Sequence, residues 1–255
     1  RVWMYIFKYL GIPAALRSSF IVVPTEYARE RIHHYTGFPK EKLIPVYEGP
    51  KSLPTEPTSI KPAWAERLEG RKYLLHVGVM EKRKNLPKLI QAYKILRDRG
   101  YTDHDLVLVG QGNGKLHSDD SANVHQTIKE NELEKHVILL GYLPDEELSF
   151  AYRNAFMYVF PSYNEGFGIP ILEAFRFNLP VLVANNTCLP EVGGDAVLTF
   201  NPYDPEEIAS KIIEVINSPT LRTELINRGV ERLKFFSWSK TSRELTAIFK
   251  RALVA

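Results

Sequence analysis

Two glutamates eight positions apart, Glu165 and Glu173, bracket Gly166, Phe167, Gly168, Ile169 and Pro170. Glycines at 166 and 168 let backbone approach a ligand closely, and Pro170 suits the first turn of a helix. Glu173 then falls within that turn. A carboxylate there can accept hydrogen bonds from the two vicinal hydroxyls of a ribose. Glu165 precedes the helix, free to face a sugar or a phosphate-linked carbon. The alternative is a Glu173 that merely favours the helix dipole and a Glu165 that is an ordinary loop residue. That accounts for one glutamate, but not for the glycines and both acids together.

A second group is basic. After Gly78 the chain reads Val79, Met80, Glu81, Lys82, Arg83, Lys84 and Asn85 before a helical pattern. Consecutive cations are unfavourable at a helix N-terminus, which already carries partial positive charge. A phosphate held by Arg83 and Lys84 against backbone amides would relieve the conflict; the alternative is a solvated basic turn. Gly141, Tyr142 and Leu143 follow a third apolar run, where backbone groups and an aromatic ring can hold a nucleobase, or Tyr142 can be a packing residue. Gly110 to Lys115 resembles a phosphate loop only superficially: Leu116 stands where Ser or Thr is needed, and a flexible turn is the reading.

Other chemistries find little support. Asp103-His104-Asp105 precedes an apolar run instead of ending one, and reads as a polar turn rather than a metal motif. The seven histidines lack His-Glu-x-x-His spacing, so no metal site and no cofactor are expected. The single cysteine, Cys188, forbids an intrachain disulfide and has no histidine nearby in sequence. No Gly-x-Ser-x-Gly elbow occurs, and no Gly-x-Gly-x-x-Gly opens a helix after the first strand, which argues against a nicotinamide dehydrogenase.

The elements that must position these residues alternate. Apolar runs at Tyr73–Val79, Asp105–Gly110, His136–Gly141, Met157–Ser162, Pro180–Asn185 and Ala196–Phe200 are separated by helical stretches at Leu86–Arg99, Asn123–Glu134, Asp145–Asn154 and Pro170–Phe177. Continuous rather than alternating apolar strands predict a parallel sheet covered on both faces, a doubly wound Rossmann-like α/β domain. Helices follow at Pro205–Ile216, Leu221–Lys234 and Lys240–Leu253. Upstream, Phe20–Pro24 and Leu43–Tyr47 flank a helix capped by Thr25 and closed by Gly37. Gly49–Pro62 is rich in Pro, Ser, Thr and Lys and reads as a linker. The expected organisation is therefore residues 1–50 as part of one domain, 51–70 as linker, 71–236 as the Rossmann-like domain and 237–255 as a terminal helix.

The balance of 33 basic against 30 acidic residues, net +3, is far from that of a chain built to coat nucleic acid. No apolar stretch approaches the roughly 20 residues that cross a bilayer. With one cysteine, the default compartment is the cytoplasm. Val2–Arg17, with Trp3, Tyr5 and Phe7 beside Lys8 and Arg17, suits either a helix buried against another domain or a peripheral contact with the inner membrane face.

Taken together, Gly78–Asn85, Val137–Leu143, Phe160–Glu173, Pro180–Asn185 and Leu189–Val192 resemble the retaining glycosyltransferases of the GT-B fold, family 4, in register over roughly Lys72 to Ile216. The Glu-x7-Glu pair is the most specific part. The resemblance implies a GT-B α/β architecture, with this chain holding one complete Rossmann-like domain, the donor half, plus part of a second. It implies that Arg83 and Lys84 neutralise a donor diphosphate, with Gly78 beside them, and that Glu173 binds the ribose. Glu165 is the expected catalytic residue at the transferred sugar. The Phe167 and Gly168 amides would help orient the sugar, with Gly166 and Ile169 also in the donor site, and Gly141, Tyr142 and Leu143 would border the base. The implied reaction is metal-independent hexosyl transfer from GDP-mannose or a UDP-sugar, with the Arg-Lys-Asn form leaning toward GDP-mannose. A glycan, lipid-linked or other acceptor would be the partner, met by an N-terminal domain that lies outside this sequence or on a separate chain. The alternatives are a sugar-nucleotide-binding module without catalysis, and a GT-B epimerase.

Overall fold

The computed structural model describes residues 11–55, 61–68, 70–112, 114 and 117–254. Val2–Leu10, Asn113, Lys115 and Leu116 lie outside the described residues, and with them most of the segment read as a membrane or interdomain contact. The chain divides into two compact units, Arg1–Gly49 with Phe236–Ala255, and Pro50–Phe235.

In the first unit, a short helix α1 (Ile12–Leu16) precedes strand β1 (Ile21–Val23), helix α2 (Glu26–Thr36) and strand β2 (Leu43–Pro45). β1 and β2 pair in parallel around buried Val23, Phe38 and Leu43. As its sequence predicts, α2 is capped by Thr25, whose Oγ1 accepts from the Ala28 amide at 3.1 Å, and ends on left-handed Gly37. The last helix, α10 (Trp238–Ala252), also belongs to this unit, where Thr241 Oγ1 donates to the Tyr47 carbonyl at 2.6 Å. It starts two residues earlier than its apolar pattern suggests, because Ser237 Oγ caps it from the Lys240 amide.

The second unit is a six-stranded, all-parallel sheet: β3 (Lys72–Val77), β4 (His104–Val109), β5 (Val137–Gly141), β6 (Met157–Phe160), β7 (Val181–Ala184) and β8 (Val197–Phe200). Its order is β5-β4-β3-β6-β7-β8, a doubly wound arrangement in which the chain starts at the centre, moves outward one way and then the other. The helices are α3 (Leu86–Asp98), α4 (Ser121–Glu130), α5 (Asp145–Asn154), α6 (Ile169–Arg176), α7 (Leu189–Gly193), α8 (Pro205–Asn217) and α9 (Pro219–Leu233). All of β6 and β7 is buried, as the continuous apolar runs require. The buried tyrosines satisfy their hydroxyls: Tyr73 donates to the Ala151 carbonyl at 2.7 Å and Tyr93 to the His104 carbonyl at 2.8 Å.

Two readings need correction. Asp103-His104-Asp105 is not a polar turn: His104 and Asp105 are buried members of β4. Asp105 is tolerated there because Arg71 Nε lies 2.9 Å from one carboxylate oxygen and His136 Nδ1 lies 3.4 Å from the other. The stretch read as linker is not all surface loop either. Leu53 is buried, and Ala63–Leu68 forms 3₁₀ turns that bury Ala65 and Leu68.

Candidate functional site

In a doubly wound sheet the crevice opens at the carboxyl ends of the two strands where the winding direction reverses, here β3 and β6. The basic and acidic motifs leave from those two ends. After β3, the backbone passes Gly78 and makes one 3₁₀ turn, Lys82–Lys84, before left-handed Asn85 (φ 58°) starts α3. Asn85 is buried, and its Nδ2 donates to the carbonyls of Pro161 (2.9 Å) and Pro202 (2.8 Å). The Tyr163 amide donates to the Arg83 carbonyl at 2.7 Å. The cationic turn is thus fastened to the loop after β6 at two points and to the loop after β8 at a third. The sequence reading used Asn85 only as part of the Arg-Lys-Asn form and gave it no structural role.

This fastening brings Arg83, Lys84 and Glu165 together. Arg83 Nη1 donates to Glu165 Oε2 at 2.7 Å, and Lys84 Nζ to Oε1 at 2.8 Å. Arg83 Nε also reaches Glu81 at 2.7 Å. The two pairs differ in weight. Arg83 is largely exposed, so water screens its contribution, whereas Lys84 is only 6% exposed and Glu165 nearly as buried. Burial lowers the Lys84 pKa and Glu165 opposes that shift. Removing one partner of such a pair costs about 3–5 kcal/mol. Glu165, read as free in its loop, is held by both cations.

The floor beneath Lys84 is apolar and uncharged. Its Nζ lies 4.8 Å from the centre of the Phe160 ring, and a Cβ on Gly78 would come within 3.1 Å of its Cε. Gly78 therefore acts as the seat of the lysine stem. His76 lies beside it on β3, fully buried; its Nδ1 donates to the Val159 carbonyl at 3.0 Å, and its Nε2 has no partner. Burial first, then the Lys84 charge, holds this imidazole at about 3, so it is neutral at physiological pH.

Gly168 (φ 104°) turns the chain from the β6 loop into α6, a conformation that favours glycine. Ile169 and Pro170 begin the helix as expected, and Glu173 sits one turn in. Glu173 is 6% exposed, and Tyr152 Oη donates to its Oε2 at 2.7 Å. Burial raises the Glu173 pKa. Phe167 is buried, while Gly166 has open space beside its Cα. The loop is tied down by Cys188, whose Sγ lies 3.2 Å from the Glu165 carbonyl and 3.3 Å from that of Phe167. Burial pushes this thiol up to about 12, so it is no nucleophile. Sequence reasoning missed its role, since the tie spans 23 and 21 positions.

At the end of β5, the Gly141 carbonyl accepts from the Gly110 amide at 2.7 Å. Gly110 is required in turn, because at its φ of 131° a Cβ would sit 1.9 Å from the Gly78 carbonyl oxygen. Leu143 is buried, whereas Tyr142 is 74% exposed and so is not a packing residue. Lys51 pairs with Asp145 at the start of α5, and the charges of Glu173 and Tyr142 also act on it. The ends of β3, β4 and β5 are thereby joined through Gly78, Gly110 and Gly141. Among the described residues, no three His, Cys, Asp or Glu side chains converge as metal ligands, and no helix is long and apolar enough to cross a membrane.

Comparison with known proteins bears on this geometry. The family described as Glycosyl transferases group 1 matches residues 61–232. The O-antigen chain mannosyltransferase B of Escherichia coli is 31% identical over 236 residues, covering 91% of this chain and 61% of that protein. The serotype-specific mannosyltransferase WbdA of Escherichia coli is 27% identical over 246 residues, covering 93% of this chain and 29% of that protein. The chain thus spans less than two thirds of the length of these relatives. Among solved structures, Anabaena HepE in complex with UDP and glucose superposes with a TM-score of 0.82 at 19% identity, over 95% of this chain and 66% of that one. Sucrose-phosphate synthase from Thermosynechococcus elongatus gives 0.77, also at 19% identity, over 96% and 61%. These likenesses bear out the α/β fold of GT-B type.

Proposed function

The chain belongs to the family Glycosyl transferases group 1, and on that premise we propose that its Pro50–Phe235 unit is the donor-binding half of a retaining, family 4 hexosyltransferase. The donor is a nucleoside diphosphate sugar, GDP-mannose by preference. The mannosyltransferase names of the relatives and the Arg-Lys-Asn form at 83–85 support that preference. The observation that carries the reading is the convergence of Arg83 and Lys84 with Glu165 at the β3/β6 crevice.

In this reading the donor diphosphate lies between the cationic turn and the N-terminus of α6. The bond from the anomeric carbon to the diphosphate oxygen breaks with its electron pair leaving on the diphosphate, while an acceptor hydroxyl oxygen bonds to that carbon on the same face and gives its proton to the departing diphosphate oxygen. Arg83, Lys84 and the amides at Phe167 and Gly168 stabilise that charge, a contribution typically worth about 10²–10³ in rate for each well-aimed donor. Two fixed cations supply the charge that a divalent metal would otherwise supply, so the transfer is metal-independent. Glu173 accepts from the ribose hydroxyls, with Tyr152 holding its other oxygen. Gly141, exposed Tyr142 and Leu143 border the base. The acceptor is a glycan or lipid-linked sugar of polysaccharide synthesis, and the protein works at the cytoplasmic side.

Calorimetric titration with GDP, UDP and ADP tests the reading. GDP is expected to bind tightest, and its affinity is expected to fall with added salt as the diphosphate contacts are screened. Absence of binding by every diphosphate would overturn it.

A further inference from the structure

The cations of the proposed diphosphate pocket are already occupied by a group of this chain. Arg83 and Lys84 grip the two oxygens of one carboxylate, Glu165, at 2.7 and 2.8 Å, much as they would grip two oxygens of a phosphate. Glu81 also acts on Lys84, more weakly than Glu165. Lys84 is buried, its stem lies on Gly78, and its ammonium faces the Phe160 ring and a neutral histidine whose Nε2 has no partner. A buried ammonium left bare is strongly unfavourable, so an anion must stay with it. Arg83 keeps a second partner in Glu81 and is the more exposed of the two cations. The loop bearing Glu165 is anchored to Cys188 through the main-chain carbonyls of Glu165 and Phe167, so its position does not depend on the Glu165 carboxylate staying paired.

We propose that Glu165 is an internal counter-anion of the diphosphate pocket, which the donor must displace in order to bind. The inference rests on the donor reading above and extends it. Glu165 neutralises Arg83 and Lys84 and competes with incoming phosphate. When a diphosphate takes the cations, the carboxylate is released beside the sugar. This makes Glu165 a specificity-determining residue: a nucleoside that offers no anion cannot displace it, and a ligand's affinity is reduced by the fraction of molecules in which the carboxylate is paired.

The test compares the 255-residue chain with its Glu165→Gln variant, titrated with inorganic pyrophosphate, GDP and guanosine. Pyrophosphate is included because its binding does not depend on the base. Glu165→Gln is expected to bind pyrophosphate and GDP about tenfold tighter than the unaltered chain. Guanosine should bind both equally. Without ligand the variant should melt at a lower temperature, and saturating pyrophosphate should raise its melting temperature more than that of the unaltered chain. Equal or weaker pyrophosphate binding by a folded variant would overturn the counter-anion role while GDP binding by the unaltered chain left the donor reading standing. If neither protein binds any diphosphate, both fail. Should Glu165→Gln not fold, Glu165→Asp, too short to span both cations, replaces it: tighter pyrophosphate binding supports the role, and unchanged or weaker binding overturns it.

Discussion

Glu165 and Glu173 lie eight positions apart and do different work because their neighbours differ. Glu165 meets two cations; Glu173, buried one turn into α6, meets a tyrosine hydroxyl. Burial raises the Glu173 pKa, which fixes the sign of its effect on stability. Below the usual carboxylate range both folded and unfolded states are protonated and the residue is neutral. As pH rises the unfolded state ionises first, so the folded state loses stability until Glu173 ionises too. The neutral variant Glu173→Gln, which keeps an acceptor for Tyr152, is therefore expected to melt at the same temperature as the unaltered chain or higher at pH 7, with the gain vanishing toward pH 4. The same variant should weaken GDP binding by about tenfold, the loss of one charge-assisted hydrogen bond to the ribose. A lower melting temperature with unchanged GDP affinity would make Glu173 a structural residue only.

At the scale of elements, the decisive features are the turns that leave β3 and β6, and they were only partly legible in the sequence. The strands were legible because each is an apolar run bounded by Gly, Pro or Asn, and Asp145–Asn154 is found as a helix within the bounds its pattern gave. The Thr25 cap was legible because capping is local. Asp105 defeated the reading because a carboxylate enters a buried strand only when distant partners, here Arg71 and His136, meet it. The pairing of Glu165 with residues 81 and 82 positions upstream was hidden for the same reason. Cys188 is the tie that sequence could not reveal. Cys188→Val, similar in size but without a donor, is expected to lower stability by about 1 kcal/mol, the worth of an ordinary buried hydrogen bond. It should also weaken GDP binding several-fold through the loosened loop, and Cys188→Ser should restore much of that affinity. A valine variant with unchanged GDP affinity would dismiss the tie as incidental.

At the scale of the molecule, the Pro50–Phe235 unit is a complete doubly wound sheet, and its two central strands deliver the two charged motifs to one crevice. The sequence anticipated a parallel sheet but not its order, since strand order is set by which helices cover which face. The terminal helix α10 clusters with residues up to Gly49. The central claim is that Arg83 and Lys84 hold the diphosphate of a nucleotide sugar while other residues hold its nucleoside. Calorimetry on the double variant Arg83→Ala, Lys84→Ala tests this most directly. The account predicts that GDP binding falls by about 100-fold or more, as expected when two charge-assisted contacts are lost, and that guanosine binding is unchanged. GDP affinity equal to that of the unaltered chain, in a variant that still binds guanosine, would contradict it.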